Sequence, residues 1–171
     1  ANREEQLDEL ETGKMDWKSL LGQFYGGFDW EKSANIRHKV MEMVLRENGC
    51  EVISVNMEWD AMSYSYNKNI IHKYWDIIKD TDGCMTNDIG ALSCLAVARQ
   101  MGLEVPGQFK IIGYDGTEIT NLTYPELSVI EQDCPGIARE CVDAVLSLIE
   151  GRDPDTCLRL VPVHWRGRGT T

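Results

Sequence analysis

The segment TNDIGALSCLAVARQMGLEVPGQFKIIGYDGTEITNLTYPELSVIEQD, residues 86–133, decides the fold because it alternates a helical pattern with strand patterns. Apolar residues recur at helical spacing over 88–102, and Gly102 is a typical helix stop. The runs 108–115 and 127–133 are short and apolar, as buried strands are. A short strand is also expected at 83–87, directly before the helix. Two strands joined through a helix run parallel, so this segment predicts part of a parallel sheet.

The same alternation continues on both sides of this segment. We expect further strands at 19–27, 50–56 and 157–165, and helices at 34–49, 66–80 and 134–151. Right-handed crossovers through such helices build a mostly parallel, doubly wound sheet, so the predicted fold is a three-layer α/β/α sandwich. Residues 1–17 are charged, have a helical pattern and follow no strand. We expect them to lead into a domain at 18–171. We also expect the whole chain to be an excised part of a longer protein.

Composition narrows the function classes. The chain of 171 residues suits one domain, and its formal net charge of −11 argues against direct contact with nucleic acid or anionic lipid. No apolar run approaches the roughly 18–20 residues that a membrane span needs, and the first residues lack the apolar centre of a secretory signal. The six cysteines form no C-x-x-C pair, and we interpret them as buried thiols of a cytoplasmic protein.

Signatures of enzymes are missing from the sequence. It contains no G-x-G-x-x-G after a strand, no phosphate-binding Walker loop and no G-x-S-x-G elbow. The histidines His38, His72 and His164 fall on separate predicted elements without the spacing of metal ligands. We therefore expect no catalytic residue, no metal and no cofactor.

Polar side chains recur where the predicted strands end. In open α/β sheets ligands bind beyond the carboxyl ends of the strands, which makes this edge the candidate site. Carboxylate and guanidinium groups bind pairs of hydroxyls, carboxamides both donate and accept, and an indole offers a flat face to a sugar ring. The set therefore suits a neutral polyol; its members are Arg37, Trp59, Asn87, Asp115 and Gln132.

Each candidate also has a structural alternative. Asp88 could cap the helix that it begins, Asn87 could stabilise its own loop, and Asp115 could form an Asx turn between its glycines. The others could be ordinary surface residues. The functional interpretation depends on several of them sharing one edge, not on any single residue.

An ordered series of motifs resembles the effector-binding core of the lactose-repressor (LacI/GalR) family. The series is Asn87-Asp88, Ala91, Gly102, Val105-Pro106, Gly113-Tyr114-Asp115, Pro125-Glu126-Leu127-Ser128 and Gln132. The resemblance is closest over 83–171 and extends from about residue 18. It implies a periplasmic-binding-protein-like type I fold, mainly one subdomain, that senses a small neutral effector such as a sugar. It also implies effector contacts for Arg37, Trp59, Asn87, Asp115 and Gln132.

The resemblance further implies a transcriptional regulator that is not an enzyme. The family's chains begin with a helix-turn-helix and a first subdomain of similar build, and neither is present in this sequence. We accordingly expect DNA contact only through a domain outside this chain, and we expect a cytoplasmic homodimer. Gly116 stands where many relatives have a second Asp, which leaves the recognised hydroxyl pattern open.

Two other classes remain open at this point. A solute-binding protein of a sugar transporter shares the fold, and a signal peptide at the full-length N-terminus would identify it. An enzyme on a flavodoxin-like sheet would reveal itself by turnover or by a bound flavin.

Overall fold

The computed structural model describes residues 30–55, 62–152 and 160–171, with side chains described from Arg37 onward. They belong to two compact units, the first containing 30–55 and the second containing 62–152 and 160–171. The first unit contributes helix α1. The elements in chain order are α1 (Trp30–Glu47), α2 (Tyr64–Lys73), α3 (Trp75–Ile78), β1 (Gly83–Asn87), α4 (Asp88–Gln100), β2 (Lys110–Asp115), a 3-10 helix (Glu118–Leu122), β3 (Ser128–Gln132), α5 (Cys134–Ile149) and β4 (Val163–Arg166).

Helix α1 confirms the helix predicted at 34–49, although it begins earlier, at Trp30. It stops before Gly49, whose φ of 79° is a left-handed conformation that ends helices readily. The strand predicted at 50–56 is wrong over its described part, because residues 50–55 form no sheet pairing. An alternating apolar pattern makes extended backbone favourable, but a strand also needs a neighbouring strand with which it can form hydrogen bonds. None of the described residues provides such a partner for 50–55.

The helix predicted at 66–80 is two helices separated at Tyr74. Ser63 begins α2 by accepting a hydrogen bond from the Tyr66 N–H at 3.3 Å. Ile71 is buried in the core, and Trp75 and Ile78 pack against it. No proline or glycine marks the break, so the sequence carries no signal for it.

The second unit contains a four-stranded sheet in the order β1-β2-β3-β4. The first three strands are parallel, with Gly83 opposite Lys110 and Ile112 opposite Ser128, and β4 runs antiparallel to β3. Helix α4 packs on β1 and β2, and α2 packs on α4. This mostly parallel open sheet with its helices confirms the predicted α/β sandwich. The core is Ile71, Ala91, Cys94, Leu95, Val97, Phe109, Ile111, Leu127 and Val129.

The predicted strands at 83–87, 108–115 and 127–133 are confirmed as β1, β2 and β3, with ends shifted by at most two residues. The last predicted strand begins later than expected, since β4 covers only Val163–Arg166. Residues 157–159 of that prediction lie outside the described residues, as does the strand predicted at 19–27.

Helix α5 confirms the helix predicted at 134–151. Asp133 accepts a hydrogen bond from the Gly136 N–H at 2.9 Å, and Gly151, with φ 66°, follows the end. Among the described residues Gly136 is the one buried position of this helix. Its apolar side chains are exposed, and they are Ile137, Val142, Val145, Leu146, Leu148 and Ile149. None of the described helices is both long and apolar enough to cross a membrane.

The cysteines are less buried than we expect from the sequence. Cys50, Cys134 and Cys141 are exposed, so the interpretation as buried thiols is wrong for these three. Two of them lie on α5, whose apolar stretch looked like a core helix but is open to solvent. Cys94 is buried and Cys84 is half-buried, with their Sγ atoms 3.4 Å apart. Cys157 lies outside the described residues. The contact with Cys94, together with burial, raises the pKa of the Cys84 thiol well above its ordinary value.

The last residues of the chain close the amino-terminal edge of the sheet. Thr170 is fully buried, and its hydroxyl donates to the Ile111 carbonyl at 2.7 Å while accepting from the Ser128 N–H at 2.9 Å. The Thr170 carbonyl accepts from the Ile111 N–H at 2.9 Å. One threonine therefore satisfies backbone groups at the start of both β2 and β3, where the two strands are not yet paired with each other.

This arrangement predicts the effect of Thr170→Val. The substitution leaves the Ser128 N–H and the Ile111 carbonyl buried without that partner, so the free energy of unfolding should fall by about 1–3 kcal/mol. Urea unfolding measures this. Thr170→Ser keeps the hydroxyl and should cost clearly less. Equal losses for the two variants would show that the methyl group, not the hydrogen bonds, stabilises this edge.

Candidate functional site

Three of the predicted site residues terminate three neighbouring strands. Asn87 is the last residue of β1, Asp115 of β2 and Gln132 of β3. The strands are parallel and adjacent, so their carboxyl ends lie along one edge of the sheet. Asn87 pairs in register with Tyr114, the residue before Asp115. The structure therefore brings these three residues together as the sequence predicts.

Asp115 has the most unusual backbone at this edge. Its φ is 115°, in the left-handed half of the Ramachandran plot, and among the described residues it is the one non-glycine residue with a positive φ. Such a conformation costs about 1–3 kcal/mol and persists only where the surroundings impose it. Gln132 contributes, because its Nε2 donates to Asp115 Oδ1 at 2.5 Å. The carboxylate is thus held against the neighbouring strand end and remains half-buried.

Gly116 continues the left-handed turn, with φ 75°. A Cβ placed on it would lie 2.7 Å from the Glu131 Cα, which is backbone and cannot move aside. The turn therefore lies directly against β3. Only glycine combines this φ with so close an approach, which explains physically why a glycine follows Asp115.

Asn87 caps helix α4 while it ends β1. Its Oδ1 accepts a hydrogen bond from the Gly90 N–H at 2.7 Å. The alternative that Asn87 stabilises its local backbone is therefore present in the structure. A carboxamide has two lone pairs and two N–H donors, and this cap accounts for one acceptor position. Capping and ligand contact are compatible in the same side chain.

Asp88 has a different part from the one that its position suggests. The expectation that it caps α4 is wrong, because Asn87 is the N-cap and Asp88 is the first helical residue. Its Oδ2 instead accepts from both the N–H and the hydroxyl of Thr117, each at 2.7 Å. Asp88 is only 3% exposed. No pattern in the sequence predicts this contact, since the two residues are far apart in the chain and each alone looks like a turn residue.

Glu131 and Arg166 form an exposed ion pair beside the turn. Arg166 Nε donates to Glu131 Oε2 at 2.5 Å. This hydrogen bond, more than the positive charges nearby, lowers the pKa of Glu131. The Glu131 side chain thus pairs with Arg166 of β4, while the Glu131 main chain lies against Gly116.

The strand ends do not test the predicted contacts of Arg37 and Trp59. Trp59 lies outside the described residues. Arg37 is an exposed residue of α1 and belongs to the first unit, whereas the three strand ends belong to the second. Their predicted contacts with an effector stay predictions.

Metal chemistry has no support in the described part of the chain. No group of His, Cys, Asp and Glu side chains there has the geometry to hold a metal ion. His38 is engaged with the Ser54 hydroxyl at 2.9 Å, within the first unit.

A concavity lies at the opposite, amino-terminal edge of the sheet. It has a volume of about 320 Å³ and is formed by the end of α4 and the segments that precede β2 and β3. Its lining residues are Arg99, Gly102, Leu103, Glu104, Val105, Tyr124 and Pro125. It is shallow and contains none of the predicted site residues.

Residues 22–171 match the family of periplasmic binding protein-like domains. The chain belongs to this family. Among curated relatives, it is 27% identical over 145 residues to the HTH-type transcriptional repressor PurR of Vibrio campbellii, a match that covers 84% of this chain and 42% of the relative. It is 35% identical over 92 residues to the ribose operon repressor of Bacillus subtilis, covering 53% of this chain and 28% of the relative. The chain thus spans less than half the length of these relatives.

Solved structures agree with the periplasmic binding protein-like assignment. The Lac repressor bound to ONPG is 27% identical, with a TM-score of 0.66 over 81% of this chain and 42% of the repressor. A LacI-family regulator from Chloroflexus aggregans superposes with a TM-score of 0.70 at 20% identity, covering 80% of this chain and 50% of that one. These relatives confirm the resemblance to LacI/GalR regulators. They are named as repressors and regulators, in agreement with the expectation that this domain is not an enzyme.

The tight turn predicts different costs for two glycine substitutions. Gly116→Ala meets the Glu131 main chain, whereas Gly102→Ala has nearly the same φ, 78°, but open space around the added Cβ. Gly102→Ala should lower the free energy of unfolding by roughly 1 kcal/mol from its backbone conformation alone, and Gly116→Ala should cost clearly more. Urea unfolding of both variants measures the difference. Equal costs would mean that the turn does not lie against β3.

Proposed function

We propose that this chain is the ligand-sensing domain of a LacI-type transcriptional regulator and that it binds a small neutral effector, a sugar or related metabolite. The observation that carries the proposal is the Asp115 carboxylate, held by Gln132 in a strained conformation at a strand end beside Asn87. Strain of this kind is retained where a side chain must be presented in a fixed position.

The chemistry of the edge favours hydroxyl groups over a charged ligand. Asp115 supplies acceptor oxygens, and the carboxamides of Asn87 and Gln132 supply both donors and acceptors. Asp115 would repel an anionic ligand. Such a ligand would also need a positively charged side chain, and Arg37 is the one cation among the predicted contacts. Solved relatives include a regulator named in complex with cellobiose and one in complex with lactose, which supports a sugar as the first candidate.

The proposal assigns the effector-binding domain to 18–171 and treats 1–17 as a lead-in. Arg37 and Trp59 are proposed as further effector contacts. DNA would be contacted through a helix-turn-helix outside this sequence, because the net charge of −11 disfavours binding of this segment to phosphates. We also propose that the protein acts in the cytoplasm, where its cysteines, free in all described cases, remain reduced.

The proposed mechanism is thermodynamic linkage. An effector that binds better to one conformation of the regulator raises the population of that conformation. The change that the effector causes in the free energy of DNA binding equals the coupling free energy between the effector site and the DNA site. An edge that fixes Asp115 before the ligand arrives favours such discrimination, because less of the binding free energy is spent on ordering the site.

A solute-binding protein of a transporter is the weaker alternative. It shares the family's fold, but the curated relatives above are named as repressors. The N-terminal sequence of the full-length protein distinguishes the two, since a regulator carries a basic helix-turn-helix and a transport protein carries a signal peptide.

We propose a homodimer that uses exposed apolar side chains on the segments around the concavity, namely Met101, Leu122 and Tyr124. These side chains are 49%, 83% and 84% exposed, and apolar side chains are enriched in homodimer interfaces. Leu122→Asp should therefore shift the complete protein from dimer to monomer in light scattering after gel filtration. Leu160→Asp, at a residue that is 73% exposed but is not one of these three, is the control. A monomeric wild type, or a dimer unaffected by Leu122→Asp, would contradict this interface.

The effector site is tested by Asp115→Asn in the complete protein. Sucrose, ribose, cellobiose, lactose and hypoxanthine are screened by thermal shift, and a probe at about 100 times its Kd should stabilise the wild type by about 2.7 kcal/mol. Asp115→Asn should abolish most of this stabilisation, because the amide replaces one acceptor oxygen with a donor. Asp76→Asn, on the exposed helix α3, should respond like wild type. A full response in Asp115→Asn would remove Asp115 from the site.

A further inference from the structure

We infer that Asp88 and Thr117 act as positioning residues for the effector site by locking the turn that presents Asp115. The inference rests on the proposed function, because it concerns the same carboxylate. Neither residue belongs to the predicted contact set. Both act through the backbone of the segment Asp115-Gly116-Thr117, called here the Asp115 turn.

The lock joins two elements that are remote in sequence. Asp88 Oδ2 accepts two hydrogen bonds from Thr117, one from its N–H and one from its hydroxyl, each at 2.7 Å. Hydrogen bonds to an ionised carboxylate are about twice as strong as those between neutral groups. Asp88 lies in the first turn of α4, where the helix dipole favours a negative charge. Helix α4 therefore fixes the position of the Asp88 carboxylate. The two hydrogen bonds hold the Asp115 turn to that helix.

Thr117 is also tied on its other side. Its carbonyl accepts from the Thr120 N–H at 3.0 Å and from the Thr120 hydroxyl at 2.7 Å. Thr120 is fully buried at the 3-10 helix. Thr117 is thus fixed between Asp88 and the 3-10 helix, although its own side chain is exposed to solvent at the surface.

These anchors bound the strained residues on both sides. On the amino side, the pairing of β2 with β3 fixes Asp115 opposite Glu131. On the carboxyl side, Thr117 is fixed by Asp88. The two intervening backbones, Asp115 at φ 115° and Gly116 at φ 75°, have to complete the turn in the space that remains. Releasing Thr117 would let Asp115 relax toward an ordinary strand or turn conformation and would draw its carboxylate away from Gln132.

The Asp88 carboxylate is packed tightly as well as hydrogen-bonded. Its Oδ1 is buried and lies so close to Gly113 that a Cβ there would be 2.7 Å away. Its Oδ2 accepts both hydrogen bonds from Thr117. The carboxylate therefore has little room to turn away from Thr117.

The test is a set of variants of the complete protein that carries this chain, titrated with whichever of sucrose, ribose, cellobiose, lactose and hypoxanthine stabilises the wild type. Thr117→Val removes the hydroxyl donor and should weaken binding about 3–10-fold, the equivalent of one net hydrogen bond. Thr117→Ser keeps the donor and should restore affinity to within about 2-fold of wild type. Asp88→Asn, which loses the charge, should weaken binding more than Thr117→Val.

A double-mutant cycle separates positioning from general destabilisation. If the lock acts through Asp115, Thr117→Val should have almost no further effect on affinity in an Asp115→Asn background. Wild-type affinity in both Thr117→Val and Asp88→Asn, or losses that add fully to that of Asp115→Asn, would overturn the inference. Loss of binding in Asp115→Asn alone would leave the proposed function intact.

Crystal structures of unliganded Thr117→Val and Asp88→Ala test the lock without any ligand. A failure of the ligand screen therefore cannot be confused with a failure of the lock. We expect at least Asp88→Ala to lose the positive φ of Asp115 or its contact with Gln132. If Asp88→Ala does not fold, an Asp115 displaced in Thr117→Val supports the lock. An unchanged Asp115 turn in every variant that folds would refute it.

Discussion

The left-handed backbone of Asp115 at the end of β2 is the constraint on which the proposed site depends. A strand end that turned in the ordinary way would carry the carboxylate elsewhere. Here the main chain of β3 lies against Gly116, Gln132 donates to Asp115, and Asp88 holds Thr117. The conformation costs free energy, and several separate contacts impose it. The carboxylate is therefore in place before any ligand binds, which lowers the ordering cost of the hydroxyl recognition that we propose for it.

The fold was predictable where the spacing of apolar residues agrees with the position of residues that start or stop helices and strands. Strand β1 has the predicted bounds, and helix α4 ends two residues before the predicted helix stop Gly102. Sequence reasoning failed where a tertiary partner decides the outcome. Residues 50–55 have a strand pattern without a ladder in the described structure, and α5 has a core-like composition on an exposed helix. Neither the presence of a neighbouring strand nor the cover of an apolar face is a property of the local sequence.

The site was predictable as a set of strand ends but not as a set of contacts. Asn87, Asp115 and Gln132 share an edge because parallel strands separated by helices must end together. The hydrogen bond between Gln132 and Asp115, and the lock between Asp88 and Thr117, depend on strand register and on the path of one turn. A pattern of residue types contains neither. The capping part considered for Asp88 falls to Asn87, the residue before it, whose side chain accepts from the Gly90 N–H.

The most direct test of the account is a crystal structure of the complete protein with a bound effector. The account predicts an effector hydroxyl within about 2.6–3.2 Å of the Asp115 carboxylate, with the carboxamide of Asn87 also in contact and Asp115 retaining its positive φ. An effector bound elsewhere, for example in the concavity beside Arg99 and Tyr124, with nothing at the carboxyl edge of the sheet, would contradict it.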